Sequence, residues 1–302
     1  MPTTLRCKAT LKGHKGSVLA VTFNSDGNYC LSAGDDRCVL LWNPRREETD
    51  IAPIQKYIGD NNHRVLDIAV AQDNNTFASC GGDKAVRVWD VTSGRVLRHF
   101  NGHTQRVNAV AYNLNESRVL VSGSYDTTVR CWDCRSRSDA AIQVLDEAAD
   151  SVTSVAVSGH ELISASVDGV LRCYDLRAGS LVTDTVGVPL LHVTLSHDGH
   201  CALTAGLDST IRLLDKATGA MLCKYTSHQN DSFKLACALS HDDAHVLCGS
   251  EDGSIHIWDL VEPKQVMRIP AHSGALFGLA CDPKRFHVLT AAADGLIKFW
   301  CQ

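Results

Sequence analysis

Apolar and polar positions alternate in short runs along this chain, and the runs return in a fixed order. VLAVTF (18–23) reads as a strand. NSDG (24–27) is a turn in which Asp and Gly supply the tight backbone, and NYCLSAG (28–34) is a second strand. Asp35-Asp36-Arg37 turns the chain again into CVLLW (38–42), a third strand rich in residues that suit a pleated, buried surface. A fourth apolar segment follows in later units, as in RVLRHF (95–100), AIQVL (141–145), MLCKY (221–225) and QVMRI (265–269). The stretch SGSYDTTVRCWD (122–133) has six further copies, starting at Ser32, Ser79, Ser164, Thr204, Cys248 and Thr290. One column of that register is always aspartate: Asp36, Asp83, Asp126, Asp168, Asp208, Asp252 and Asp294. Six residues on stands Trp42, Trp89, Trp132, Tyr174, Leu214, Trp258 or Trp300, so all five tryptophans share one phase. Seven four-stranded units of this kind bury their faces only against one another, which predicts a single closed body over 1–302.

An aspartate column repeating every 40 to 47 residues, with a terminal Trp-Asp, resembles the WD-repeat β-propeller family. The resemblance implies an all-β, seven-bladed ring. Its blades take residues 63–100, 103–145, 150–184, 188–225, 230–269 and 272–302 after the first. The seventh tryptophan is followed by no further apolar run, while LRCKATLK (5–12) is a spare one at the start. Residues 5–12 are therefore expected to supply the outer strand of the last blade and close the ring, removing an open sheet edge. The charged segment 43–55, with two prolines, is expected to be an exposed loop within blade 1.

Ser, His and Asp recur together. Blade 1 offers His14, Ser32, Asp36 and Trp42; blade 3 offers His103, Ser122, Asp126 and Trp132; blade 7 offers His272, Thr290, Asp294 and Trp300. A hydrolase triad occurs once in an enzyme. A set copied around a ring is instead a structural network, and the WD-repeat resemblance implies the same, with Asp orienting His and Ser or Thr and Trp completing it. Blade 2 keeps Ser79, Asp83 and Trp89 but has Asn61 where histidine is expected. Blade 4 has Ala148 there with Asp168 and Tyr174, and blade 5 has Val186 with Asp208 and Leu214. Blade 6 keeps Asp252 and Trp258, with Cys248 for Ser, and needs a two-residue insertion to place His228. Blades 4 and 5, without the histidine network, are expected to be the softest part of the ring.

Net charge is −5 and the pI about 6.2, which gives no general attraction for nucleic acid or anionic lipid. No apolar run approaches the ~20 residues that span a bilayer, and MPTTLRCKATLKGHKG lacks the apolar core of a secretory signal. The 13 cysteines sit mostly in strand text, as small buried hydrophobes of a reducing compartment. Cys131-Trp132-Asp133-Cys134 has no second pair at zinc spacing. No phosphate loop, metal-binding helix motif or cofactor motif is present, so neither catalysis nor a cofactor is expected.

Two features point to partners. Trp132-Asp133-Cys134-Arg135 and Tyr174-Asp175-Leu176-Arg177 are paired boxes on adjacent blades. They resemble those of substrate receptors for cullin-RING ubiquitin ligases, in which the arginines help dock the adaptor; the alternative is that Arg135 and Arg177 merely coat the rim. The residues before each turn aspartate and at the opening of each first strand form the other rim, with Arg106, Asn108 and Tyr125 on one side and Phe233, Glu251 and Phe277 elsewhere. Arginine and aromatics dominate protein interfaces. The segments DGNYCLSAG (26–34), GGDKAVRVWDVTSG (81–94), VRCWDCRSR (129–137), LDEA (145–148), SVDGVLRCYDLRAG (166–179), LDSTIRLLDKATG (207–219) and SEDGSIHIWDLVE (250–262) resemble WD-repeat scaffolds that organise mitogen-activated protein kinase cascades. That resemblance implies a non-enzymatic adaptor, monomeric within larger complexes. Its partners would be kinase-cascade or spliceosomal proteins, in cytoplasm and nucleus.

Overall fold

The computed structural model describes residues 5–59, 62–113 and 118–302. They form seven sheets, antiparallel but for one two-residue strand, and, among the described residues, no helix. Six blades take their strands in chain order. Blade 3, for instance, runs Val107–Tyr112, Val119–Ser124, Val129–Asp133 and Gln143–Leu145. The first strand of every blade touches the first strands of its two neighbours, so these seven line a central channel. Blade 7 takes its outer strand from the other end of the chain: Arg6–Lys12 pairs antiparallel with Leu296–Cys301, from Arg6 opposite Cys301 to Lys12 opposite Leu296. The ring is a seven-bladed propeller closed by its N-terminal strand.

The core is distributed over the seams. Each of seven buried clusters draws its side chains from two neighbouring blades. Trp132 of blade 3, for example, packs on Ala78, Val88 and Phe100 of blade 2, with its ring 5.2 Å from that of Phe100. At the seam of blades 4 and 5, Leu214 takes the tryptophan position. The cluster there, built on Ile163, Leu171, Leu190 and Val193, contains no aromatic ring.

Segment 43–55 departs from the expected free loop. Asp50–Ile51 adds a fifth, parallel strand outside Arg6–Lys12, with Thr10 opposite Asp50 and Leu11 opposite Ile51. Ile51 is driven there by its own burial beside Leu11 and Trp42. Lys12 pairs with Asp50 at 2.9 Å, and Arg45 reaches the fully buried Asp282 of blade 7 at 2.7 Å.

Six first strands carry a register shift after their first residue, between Val18 and Ala20, Val65 and Asp67, Val107 and Ala109, Val152 and Ser154, Leu190 and His192, and Leu276 and Gly278. Such a bulge places two residues against one and re-aims a side chain. The extra residues include Asn108 and Phe277, and the bulges lie at one end of the channel.

Candidate partner site at the channel mouth

The repeated network sits between the loop entering each blade and the turn joining its second and third strands. In blade 1 the Trp42 indole donates to Ser32 Oγ at 2.8 Å, and Ser32 Oγ lies 2.7 Å from His14 Nε2. His14 Nδ1 faces both Asp36 oxygens at 3.0 Å. Blade 3 repeats this with Trp132, Ser122, His103 and Asp126, and blade 7 with Trp300, Thr290, His272 and Asp294. A neutral imidazole with its proton on Nδ1 satisfies every donor in the chain from indole to carboxylate. The geometry resembles a hydrolase triad, but Ser32, Ser122 and Thr290 are wholly buried, and each hydroxyl oxygen already accepts an indole N–H. None is open to attack a substrate.

The aspartate also ties two loops together. Asp126 accepts the amides of Thr104 at 2.9 Å and Thr128 at 3.1 Å. Burial disfavours its charge, yet the bonds from His103 and Thr128 prevail and hold its carboxyl well below the usual range. The residue after each turn aspartate has left-handed backbone in all seven blades: Arg37, Lys84, Thr127, Gly169, Ser209, Gly253 and Gly295, with φ from 54° to 78°. The carboxylate bond to the next amide but one, as from Asp126 to Thr128, stabilises that conformation where glycine is absent.

Where the histidine is missing, the structure departs from an unsupported aspartate. Arginine four residues on folds back onto the carboxylate. Arg87 meets Asp83 at 2.6 Å, Arg172 meets Asp168 at 2.8 Å, and Arg212 meets Asp208 at 2.6 Å. Blades 2, 4 and 5 thus lack the histidine but keep a charged anchor. Trp89 still donates to Ser79 at 2.9 Å, and Tyr174 donates to Glu147 at 3.1 Å. Asn61 lies outside the described residues. In blade 6, Arg268 from the outer strand holds Asp252 at 2.7 Å, and Trp258 donates to the Thr226 carbonyl. His228 is buried against Trp258 with both ring nitrogens unpaired among the described residues. Burial, then His256, pushes it down to about 4.

At the bulged end of the channel opens a cavity of about 370 Å³. Four of the six rim residues line it: Arg106, Asn108, Phe233 and Phe277. Tyr125 stands beside them, half-exposed, with the Arg106 guanidinium 4.6 Å from its ring centre. Phe233 and Phe277 meet edge to face at 5.4 Å, and Phe233 is 47% exposed. Asn108 and Glu251 are occupied rather than presented. The Asn108 amide donates to Ser151 Oγ and the Val152 carbonyl at 3.0 and 2.8 Å. Glu251 accepts the amides of Asp231, Ser232 and Phe233, which fixes the loop that carries Phe233.

Arg64, Asp67, His192 and Lys234 also line the mouth, with Arg64 just before its blade's first strand, the position Arg106 holds in blade 3. Lys234 of blade 6 crosses to the Asn108 carbonyl of blade 3 at 3.0 Å. The two-residue insertion of blade 6 and its short first strand, Cys237–Leu239, lengthen the loop that carries Lys234. Asp67 accepts the Val110 amide at 3.0 Å; burial raises its pKa against the pull of Lys234. Burial also pushes His192 down to about 3. Three cations, Arg64, Arg106 and Lys234, face one acid here on a chain of net negative charge. Arg135 and Arg177 lie at the opposite end of the ring, both exposed, with their amides donated to Asp133 and Asp175 at 2.8 Å.

Fold and network together define a WD-repeat propeller. The family model "WD domain, G-beta repeat" matches residues 5–43, 52–90, 94–133, 219–259 and 263–301, and the chain belongs to that family. The matched segments omit blade 4 and nearly all of blade 5, the two blades without the tryptophan. The chain is similar to WD repeat domain-containing protein 83 of Homo sapiens, at 48% identity over 76% of this chain and 71% of the relative. The Dictyostelium discoideum homolog of that name is 31% identical over 76% of this chain and 78% of its own. Autophagy-related protein 16 of Arabidopsis thaliana is 29% identical over 72% of this chain and 42% of its own length.

Proposed function

We propose that this chain is a non-enzymatic scaffold that holds partner proteins together, one of them at the channel mouth through an acidic or aromatic segment. The observation that carries the reading is the mouth itself: exposed Arg106, Tyr125 and Phe233, with Phe277 half-buried against Phe233, around a cavity bordered by Arg64 and Lys234. Co-bound partners meet intramolecularly, which raises avidity by ~10²–10⁴ without any new contact. The likeness to WD repeat domain-containing protein 83 and the segments that resemble kinase-cascade organizers support kinase-cascade or spliceosomal proteins as those partners, in cytoplasm and nucleus.

The test is a tagged pull-down from nuclear and cytoplasmic extracts with mass-spectrometric identification. Wild type is compared with Arg106→Glu/Phe233→Ala and with Arg135→Ala/Arg177→Ala. Kinase-cascade or splicing proteins that are lost only with the first pair support the reading. Equal capture by all three chains removes the mouth from it. The second reading, a ubiquitin-ligase substrate receptor, is favoured by the exposure of Arg135 and Arg177 on adjacent blades. A ligase adaptor lost only with the second pair would put that reading first.

A further inference from the structure

The outer strands of the propeller are sheet edges, and six of the seven are shielded. Blades 1 and 3 end in three-residue strands, Gln55–Tyr57 and Gln143–Leu145. Blade 2 carries Arg98, blade 5 Lys224 and blade 6 Arg268 and Pro270 in the outer strand. Blade 7 is covered by Asp50–Ile51. Short length, charged side chains (lysine above all), proline and an added strand are the recognised ways to stop an edge from pairing with another chain. Of these the outer strand of blade 4, Ser180–Thr185, has a single acidic charge, Asp184, and nothing else. It is a regular six-residue strand, paired on one side with Val170–Asp175, and SLVTDT contains no cation and no proline. Leu181 is 38% and Val182 51% exposed. Its one charge, Asp184, accepts no hydrogen bond and makes no ion pair among the described residues, and burial alone shifts its carboxyl, upward.

The surroundings of this edge select the kind of chain it would take. Ser180 and Val182 line a groove between blades 4 and 5 of about 640 Å³, together with Asp175, Asp198 and Asp215. Lys216 in that groove is already paired with Glu161. Asp184 borders a second depression on the same seam, where its carboxylate leans on Gly219 and Arg212 is engaged by Asp208. The carboxylates beside the strand therefore outnumber its cations: Lys216 and Arg212 are committed, and Arg177, in the turn before Ser180, stays exposed beside Asp175. Blade 7 supplies the structural precedent, since its outer strand accepts a further strand whose Asp50 meets Lys12 and whose Ile51 is buried.

We propose that the outer edge of blade 4 is a second docking surface, which takes an extended, lysine- or arginine-bearing segment of a partner protein as a fifth strand. Backbone pairing supplies the affinity in such augmentation, and alternate side chains supply the specificity. Here the basic side chains lie along the groove toward Asp184 and Asp215. This surface is separate from the channel mouth and does not depend on what binds there.

The test uses the full chain and a short fluorescein-labelled peptide of alternating lysine and valine, read by anisotropy. Two control peptides are needed: one N-methylated on alternate amides, which keeps the charges but cannot pair, and one with glutamate for lysine. Saturable binding is expected, weakened ~10-fold or more by N-methylation and by Val182→Lys, which adds the missing edge cation. Asp184→Asn, which removes one ion pair at a half-exposed site, is expected to weaken it ~2–5-fold. Amide exchange over 180–185 slows with the peptide and not with the controls. Val182→Lys replaces an exposed side chain, and an unchanged melting temperature shows that its fold is kept. No saturable binding, equal affinity for the N-methylated peptide, or equal affinity of Val182→Lys and wild type would each overturn the proposal.

Discussion

Replacing Arg172 by methionine isolates the anchor that blade 4 uses in place of histidine. The apolar part of the side chain is largely kept, and the guanidinium is lost. Arg172 gives Asp168 two hydrogen bonds, at 2.8 and 3.2 Å, with side-chain exposures of 7% and 10%. Stripping one member from a buried pair costs about 3–5 kcal/mol. The amides of Ala149 and Val170, at 2.9 and 3.0 Å, stay on the carboxylate and hold part of its charge. The expected loss is therefore about 2–3 kcal/mol, from two charge-assisted bonds less that residual support. Urea unfolding of wild type, Arg172→Met, Asp168→Asn and the double variant closes a cycle, and a coupling of about 1.5 kcal/mol or more is expected. The pH dependence follows from the sign of the Asp168 shift. Burial opposes its ionisation, but the Arg172 and backbone bonds outweigh burial and hold the folded pKa below the unfolded one. The contribution is complete above about pH 4 and is lost as the pH falls through the folded value. Coupling below about 0.5 kcal/mol at pH 7, or coupling that persists in acid, would refute the anchor.

Deletion of residues 1–12 removes the closing strand with Leu5, Ala9 and Leu11, all buried, and uncovers the edge at Leu296–Cys301. A loss of about 5 kcal/mol or more and self-association are expected in calorimetry and light scattering, and an unchanged melting temperature would contradict the closure. His228, held down at about 4 by burial, makes the fold acid-sensitive. Its stability is complete above about pH 6.5 and falls by up to about 3 kcal/mol as the pH drops toward 4, and melting curves of His228→Leu should lack that component. Thr127 is a β-branched residue at φ 70°, so Thr127→Gly should raise stability by about 0.5–1 kcal/mol; a lower urea midpoint would show that no strain is stored there. Amide exchange should be faster in blades 4 and 5, whose seam has no aromatic ring, than in blades 1 and 3, and the reverse order would show that the arginine anchors compensate fully.

The repeat, the strand order and the closure were all legible along the chain, because each is a local pattern. Period-2 alternation sets the faces of a strand. The fixed distance from aspartate to tryptophan sets the unit, and a missing outer strand at one end matches a spare one at the other. The His14–Ser32–Asp36 kind of network was legible for the same reason, since in all three copies Ser or Thr stands four residues before Asp and His 22 or 23 before it. Whatever depends on the space between units emerged only in the folded ring. Arg172 turns back onto Asp168 because no imidazole fills the gap, and an arginine four residues from an aspartate in strand text carries no such message. Asn108 and Phe277 reach the channel mouth through bulges that their alternation hides. Lys234 becomes part of that mouth only when the closed ring sets blade 6 across from Asn108 of blade 3. The exposure of Ser180–Thr185 is likewise a matter of what does not cover it, a property of the assembled ring that no single strand contains.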